Sequence, residues 1–190
     1  DFAFNTNSPF TNFESMQIYT FNQIYDTGEQ LTTEIELVTI FLNMLENEAF
    51  RKKFIDTYCL VAGSVFEPER CKEIITRMAE RTYSTLRYEG KDPYSTANPM
   101  INSLSTRQQT LINALKNYWR FYLSGVEEQN VKISSNINEA RITLNDMIVP
   151  TNKFDGSLFG DIILKASAPA NYKFIGWKGL SNNVANEDVI

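Results

Sequence analysis

The stretch "LINALKNYWRFYLSGVEEQNVKISS", Leu111–Ser135, changes its period part-way along, and that change decides the fold class. Before Gly125, the residues Leu111, Leu115, Tyr118, Trp119 and Tyr122 recur three and four apart, which places them on one face of a helix. The helix is expected from about Thr106 to Leu123, with Gly125 closing it in the left-handed conformation that glycine tolerates. After Gly125, "VKISS" alternates apolar and polar residues, the period of a strand with one buried face.

Towards the C-terminus the same alternation returns in "ARITLND", "DIILKASA" and "YKFIGW", separated by Asn, Asp, Gly and Pro. These segments predict a small antiparallel β extension of about 50 residues, too small to hold a large core alone, so it should lean on the helices. In the last segment Tyr172 and Phe174 share one face and Lys173 and Ile175 the other, and Gly176 bends the chain so that Trp177 folds back. Packing as core under the sheet is the expected use of these three aromatics, ahead of a ligand platform.

Towards the N-terminus the pattern is helical. In "EPERCKEIITRMAERTYSTLRYEG", Pro68 suits a first helical turn, Glu67 and Glu69 suit the positive end of the helix dipole, and Gly90 ends the run. Its inner face is expected to be Cys71, Ile74, Ile75, Met78 and Thr82. "KDPYSTANP" reads as loop. In "NEAFRKKFIDTYCLVAGSVF", Asn47 is a capping residue, Phe50, Phe54, Tyr58 and Val61 form the expected buried stripe, and Gly63 with Ser64 ends the helix. Earlier still, Thr33 and Glu36 have capping-box spacing ahead of Ile35, Val38, Leu42 and Leu45. The fold class is therefore α+β, with a helical part over residues 1–126 and a β-rich tail over 127–190.

Composition narrows the chemistry. Apolar residues make up 43% and charged residues 22%, ordinary for a globular protein, and no apolar run reaches the roughly 18 residues of a membrane span. The net charge of -5 argues against a nucleic-acid surface. The chain has no histidine, which removes Ser-His-Asp and Cys-His catalysis and any His-ligated zinc within it. Cys59 and Cys71 are too few for a structural zinc site; they form either a disulfide or, more simply, two buried thiols. No glycine-rich phosphate loop is present. Phe13, Tyr19, Phe21 and Tyr25 suit a sugar platform but more simply a core, and Lys52 with Lys53 reads as a solvated face. Asp1, at the exit of the aromatic "DFAFN", is of the residue type that ligates Mg²⁺ at a strand end. With no initiator Met or leader, residue 1 reads as a cut inside a larger protein.

Taken in order, four pieces resemble the C-terminal portion of the CotH family (spore coat protein H type, atypical kinase-like proteins) in its Bacteroides-type members. "DFAFN" is similar to the end of a motif written W-x-W-x-x-x-D-x-D-F-x-F. "LENEAFRKKFIDTYCLVAGSVFEPER" resembles a stretch of L-x-N-x-x-F, a basic pair, F, and F-x-P-E-R at a helix start. "LSTRQQTLINALKNYWRFYL" is similar to a helix that in the family carries an R-P motif, here without the proline. "ITLNDMIVPTNKFDGSLFGDIILKASAPANYKFIGW" resembles the β tail, with Asn at a strand end, a glycine-phenylalanine turn, A-x-P and Y-x-F-x-G-W.

The resemblance implies a secreted or cell-surface protein whose complete form has a kinase-like fold and uses ATP and Mg²⁺ to phosphorylate a surface protein. The nucleotide lobe, phosphate-binding lysine and catalytic loop would lie upstream, so this chain is the helical C-lobe portion plus the β extension, partnered by the missing N-terminal lobe. Asp1 matches the second motif aspartate and is the single implied metal ligand. Kinase chemistry needs metal, lysine and catalytic aspartate together, so the chain by itself is expected to be inactive, with no cofactor of its own. The rival expectation, from another class, is a non-catalytic surface module that binds a glycan or a protein.

Overall fold

The computed structural model describes residues 40–41, 43–120, 122–180 and 188–190. Asp1, the aromatics Phe13, Tyr19, Phe21 and Tyr25, the Thr33–Glu36 capping box with Ile35, Val38 and Leu42, and the side chain of Tyr118 lie outside them. The described architecture is α+β: four α-helices, then five short strands in two antiparallel sheets.

Helix α1 (Glu48–Leu60) starts at Asn47, whose Oδ1 accepts from the Phe50 amide at 3.0 Å. The expected stripe is rotated. Ile55, Cys59 and Leu60 are fully buried, while Phe50, Phe54 and Tyr58 are only partly so. Nor does the helix stop at Gly63. It continues as a π-helical turn over Val61–Val65, within which Gly63 faces the Phe154 ring so closely that a Cβ there would clash with it.

Helix α2 (Pro68–Tyr88) has Pro68 in its first turn and Glu67 as its cap, the carboxylate accepting from the Arg70 amide at 2.9 Å. Gly90, at φ +74°, follows its end as expected. Its buried residues are Cys71, Ile75 and Ala79, strictly four apart, so the inner face is narrower than the sequence suggests. Met78 is 62% exposed, and Thr82 is exposed with its hydroxyl turned back to the Met78 carbonyl. The segment read as loop is helix α3 (Tyr94–Ser105). Pro93 precedes its first turn, the Asp92 carboxylate accepts from the Tyr94 amide at 3.1 Å, and Pro99 gives up one ladder bond inside it. Helix α4 (Arg107–Tyr118) is shorter than expected, its chain turning away after Trp119, with Gly125 at φ +77° before the first strand.

Strand β1 (Glu128–Ser134) pairs antiparallel with β4 (Lys153–Phe159) over their full lengths. Strands β2 (Arg141–Leu144) and β3 (Met147–Ile148) form a hairpin through Asn145 and Asp146, at φ +47° and +62°. Two successive positive φ values are what a two-residue hairpin turn needs, and Asn and Asp tolerate them. Strand β5 (Leu164–Ser167) pairs with the other side of β2. "YKFIGW" is not a strand. The place beside β5 is taken by residues 188–190, with Leu164 N to Ile190 O and Ala166 N to Asp188 O both at 2.8 Å.

One hydrophobic cluster joins α1, the π turn, α4 and both sheets, with Phe154, Leu115 and Leu144 fully enclosed. The sheet thus leans on the helices, as its size requires. A second, smaller cluster lies between α2 and α3, made of Cys71, Ile75, Ala79, Ala97 and Leu104.

Candidate functional site

The helices and the tail meet at a polar junction built on Asp56. Its carboxylate is buried at 3% residue exposure, one turn after Lys52, whose Nζ lies 3.0 Å from Oδ2. The second donor comes from the hairpin turn: Asn145 Nδ2 donates to the same oxygen at 2.9 Å. Asn145 Oδ1 in turn accepts from the Ile163 amide at 2.8 Å, and both Lys52 Nζ and Asn145 Nδ2 reach the Asp161 carbonyl at 3.3 Å. A buried carboxylate needs such partners, and here a cation and an amide provide them. Lys52 is therefore not simply a solvated residue.

Beside this junction lies a cavity of 470 Å³ lined by Glu48, Arg51, Lys52, Asp56, Tyr122 and Asp161 among others. Arg51 is occupied within the fold, donating to the Leu45 carbonyl at 2.8 Å and standing 5.0 Å over the Tyr122 ring. Asp56, the buried carboxylate in this lining, is committed to Lys52 and Asn145. Among the described residues no group of three or more His, Cys, Asp or Glu side chains could hold a metal ion. The expected ligand, Asp1, lies outside the described residues.

The "FEPER" residues carry structural work. Glu67 caps α2 and lies 3.4 Å from Lys153 on β4, and Arg70 Nη1 donates to the Val65 carbonyl at 2.9 Å, tying the π turn to the next helix. Cys59 and Cys71 are both free and buried, so no disulfide joins them. Burial, reinforced by Asp56, pushes the Cys59 thiol up to about 12, and burial also raises Cys71. Neither thiol is an activated nucleophile.

A second concavity, of 330 Å³, lies on the tail between β2, β5 and residues 168–177. Here the expectation that Tyr172, Phe174 and Trp177 form core fails. Tyr172 is 58% exposed, Phe174 and Trp177 are half-buried and meet edge-to-face at 5.6 Å, and Trp177 packs only at the margin of the main cluster. The core role belongs to Phe154, Leu158 and Phe159 on β4 instead. Asn145, Asp56 and Lys153 escaped the sequence reading as interacting residues. The Asn-Asp pair between two apolar runs was the available signal for the first.

No family model, no curated protein and no solved structure matches this chain. No helix among the described residues is long and apolar enough to cross a membrane.

Proposed function

We propose that this chain is the C-terminal, non-catalytic part of a CotH-like secreted or surface protein, the complete form of which is an atypical protein kinase using ATP and Mg²⁺. One observation supports this reading above others. Pieces that carry the resemblance lie far apart in sequence and meet pairwise: the basic pair through Lys52–Asp56 with Asn145 at the strand end, and "FEPER" through Glu67 with Lys153. Motifs that hold each other in place are what a shared scaffold needs. The reaction centre is assigned to the missing lobe, with Asp1 as its contribution from this chain. The test is transfer of the γ-phosphate of ATP by the complete gene product with Mg²⁺, recovered from the cell surface or medium. Transfer should be lost in Asp1→Ala, and the 190-residue chain alone should show no ATP binding in calorimetry. A complete product without transfer, or ATP binding by the chain alone, defeats the proposal.

The exposed aromatic concavity favours a second reading, a non-catalytic surface module that binds a glycan or a protein. An upstream segment lacking the phosphate-binding lysine and the catalytic aspartate decides for it.

A further inference from the structure

We infer that the tail concavity is a binding groove for an acidic oligosaccharide, one bearing uronate or sulfate groups. The inference rests on the surface-module reading and names its ligand class.

Charge and shape point the same way. The whole protein carries a net charge of -5, yet the groove is lined by two cations, Arg141 and Lys173, and by no acid among the described residues. Both are exposed, and neither makes an ion pair among the described residues. Two cations at one concave site, with no acid among its described lining residues, leave a local positive field for an anion. The same concavity is lined by Tyr172, 58% exposed, and by the half-buried Phe174 and Trp177. An exposed ring is a flat apolar surface on which the C–H face of a pyranose can lie, and Asn136 and Ser167 on the wall offer hydroxyl and amide partners for sugar oxygens.

An acidic peptide would share the charge, but the backbone disfavours it. Extended peptides bind mainly by adding a strand to an open sheet edge. The two sides of β5 are occupied, one by β2 and the other by residues 188–190, so the groove offers no such edge there. Recognition is left to side chains, which suits a sugar.

The experiment is calorimetry of the whole chain against a galacturonate hexasaccharide, the neutral cellohexaose, and hexaglutamate. The uronate sugar should bind about tenfold or more tighter than the neutral one. That advantage should shrink as salt rises from about 0.05 to about 0.5 M, because screening shortens the reach of exposed charges. Tyr172→Ala should weaken both sugars by about tenfold. Arg141→Gln with Lys173→Gln should bring the uronate sugar down to the neutral level, and all of these exposed positions should leave the melting temperature unchanged. Equal affinity for the two sugars, or uronate binding untouched by Tyr172→Ala, overturns the inference. Tighter binding of hexaglutamate also overturns it while keeping a binding surface. If none of the three binds at millimolar concentration, the inference falls, while the surface-module reading is still decided by the upstream segment.

Discussion

The two hydrophobic clusters of this protein differ in how they are assembled. Among the described residues the larger has sixteen buried members drawn from α1, the π turn, α4 and four of the five strands or their flanks. The smaller has five, all from two consecutive helices, α2 and α3. Phe66 is partly buried against both and is their one shared side chain. The comparison reverses an intuition drawn from sequence. The β tail looks like an appendage, yet it supplies Phe154, Leu144 and Leu158 to the main core. The α2–α3 pair looks like the strongest part of the chain, yet it is the one with little buried beneath it, and from Arg81 to Gly90 every residue except Leu86 is exposed.

Phe154→Ala is the most severe way to challenge this contrast. The ring is fully buried and fills the space left by Gly63, so its loss should cost about 3–5 kcal/mol. Helical and sheet signals should fall together in a denaturant titration. Separate transitions would mean that the tail has a core of its own.

Asn145→Ala comes next. It removes a hydrogen bond to a buried charge and puts Ala, without the local hydrogen bonding that lets Asn adopt it, at φ +47°, together worth roughly 2–4 kcal/mol. Asn145→Gly keeps the turn and should recover about 1 kcal/mol of that loss. Equal losses in the two variants would show that the turn geometry contributes nothing.

In the smaller cluster, Ile75→Ala should cost about 2 kcal/mol. Its signature should be local: hydrogen exchange speeds up in α2 and α3 and stays slow in β1 and β4. Uniform acceleration would erase the distinction between the clusters. Met78→Ala should be smallest, under about 0.5 kcal/mol, since that side chain is 62% exposed. A loss as large as that of Ile75→Ala would restore the broader inner face suggested by the sequence.

The fold class was legible because it depends on period alone, and the shift at Gly125 is sharp. The Gly90 stop, the Asn47 cap and the start of α2 at Pro68 were legible for the same kind of reason, a local residue preference acting on the local backbone. What escaped depends on residues distant in sequence. "KFDGSLF" carries Asp-Gly, a turn signal, yet it is strand β4, paired along its length with β1. Asp155 meets Lys132 across the ladder, and a Cβ on Gly156 would stand 3.1 Å from the Gly63 Cα. "YKFIGW" alternates like a strand, but residues 188–190 hold the edge it would need. Composition disguised α3 as loop, since Asp92 and Pro93 are turn formers that here sit at a helix start, and Pro99 is accommodated inside the helix at the loss of one ladder bond. The candidate sites followed the same division. The aromatics of the tail were visible at once, but their exposure was not, because β4 supplies the apolar filling they would otherwise have provided.

The link from Asp56 to Asn145 spans 89 residues, and that distance sets a timetable for the newly made chain. At about 5–20 residues per second, α1 leaves the ribosome roughly 4–18 seconds before the hairpin that satisfies its carboxylate exists. The α2–α3 pair, joined by neighbouring contacts, can close during that wait. The part with the smaller described core is then the first able to close, and α1 must wait for the sheet that covers its apolar face, the interval in which a chaperone has most to protect.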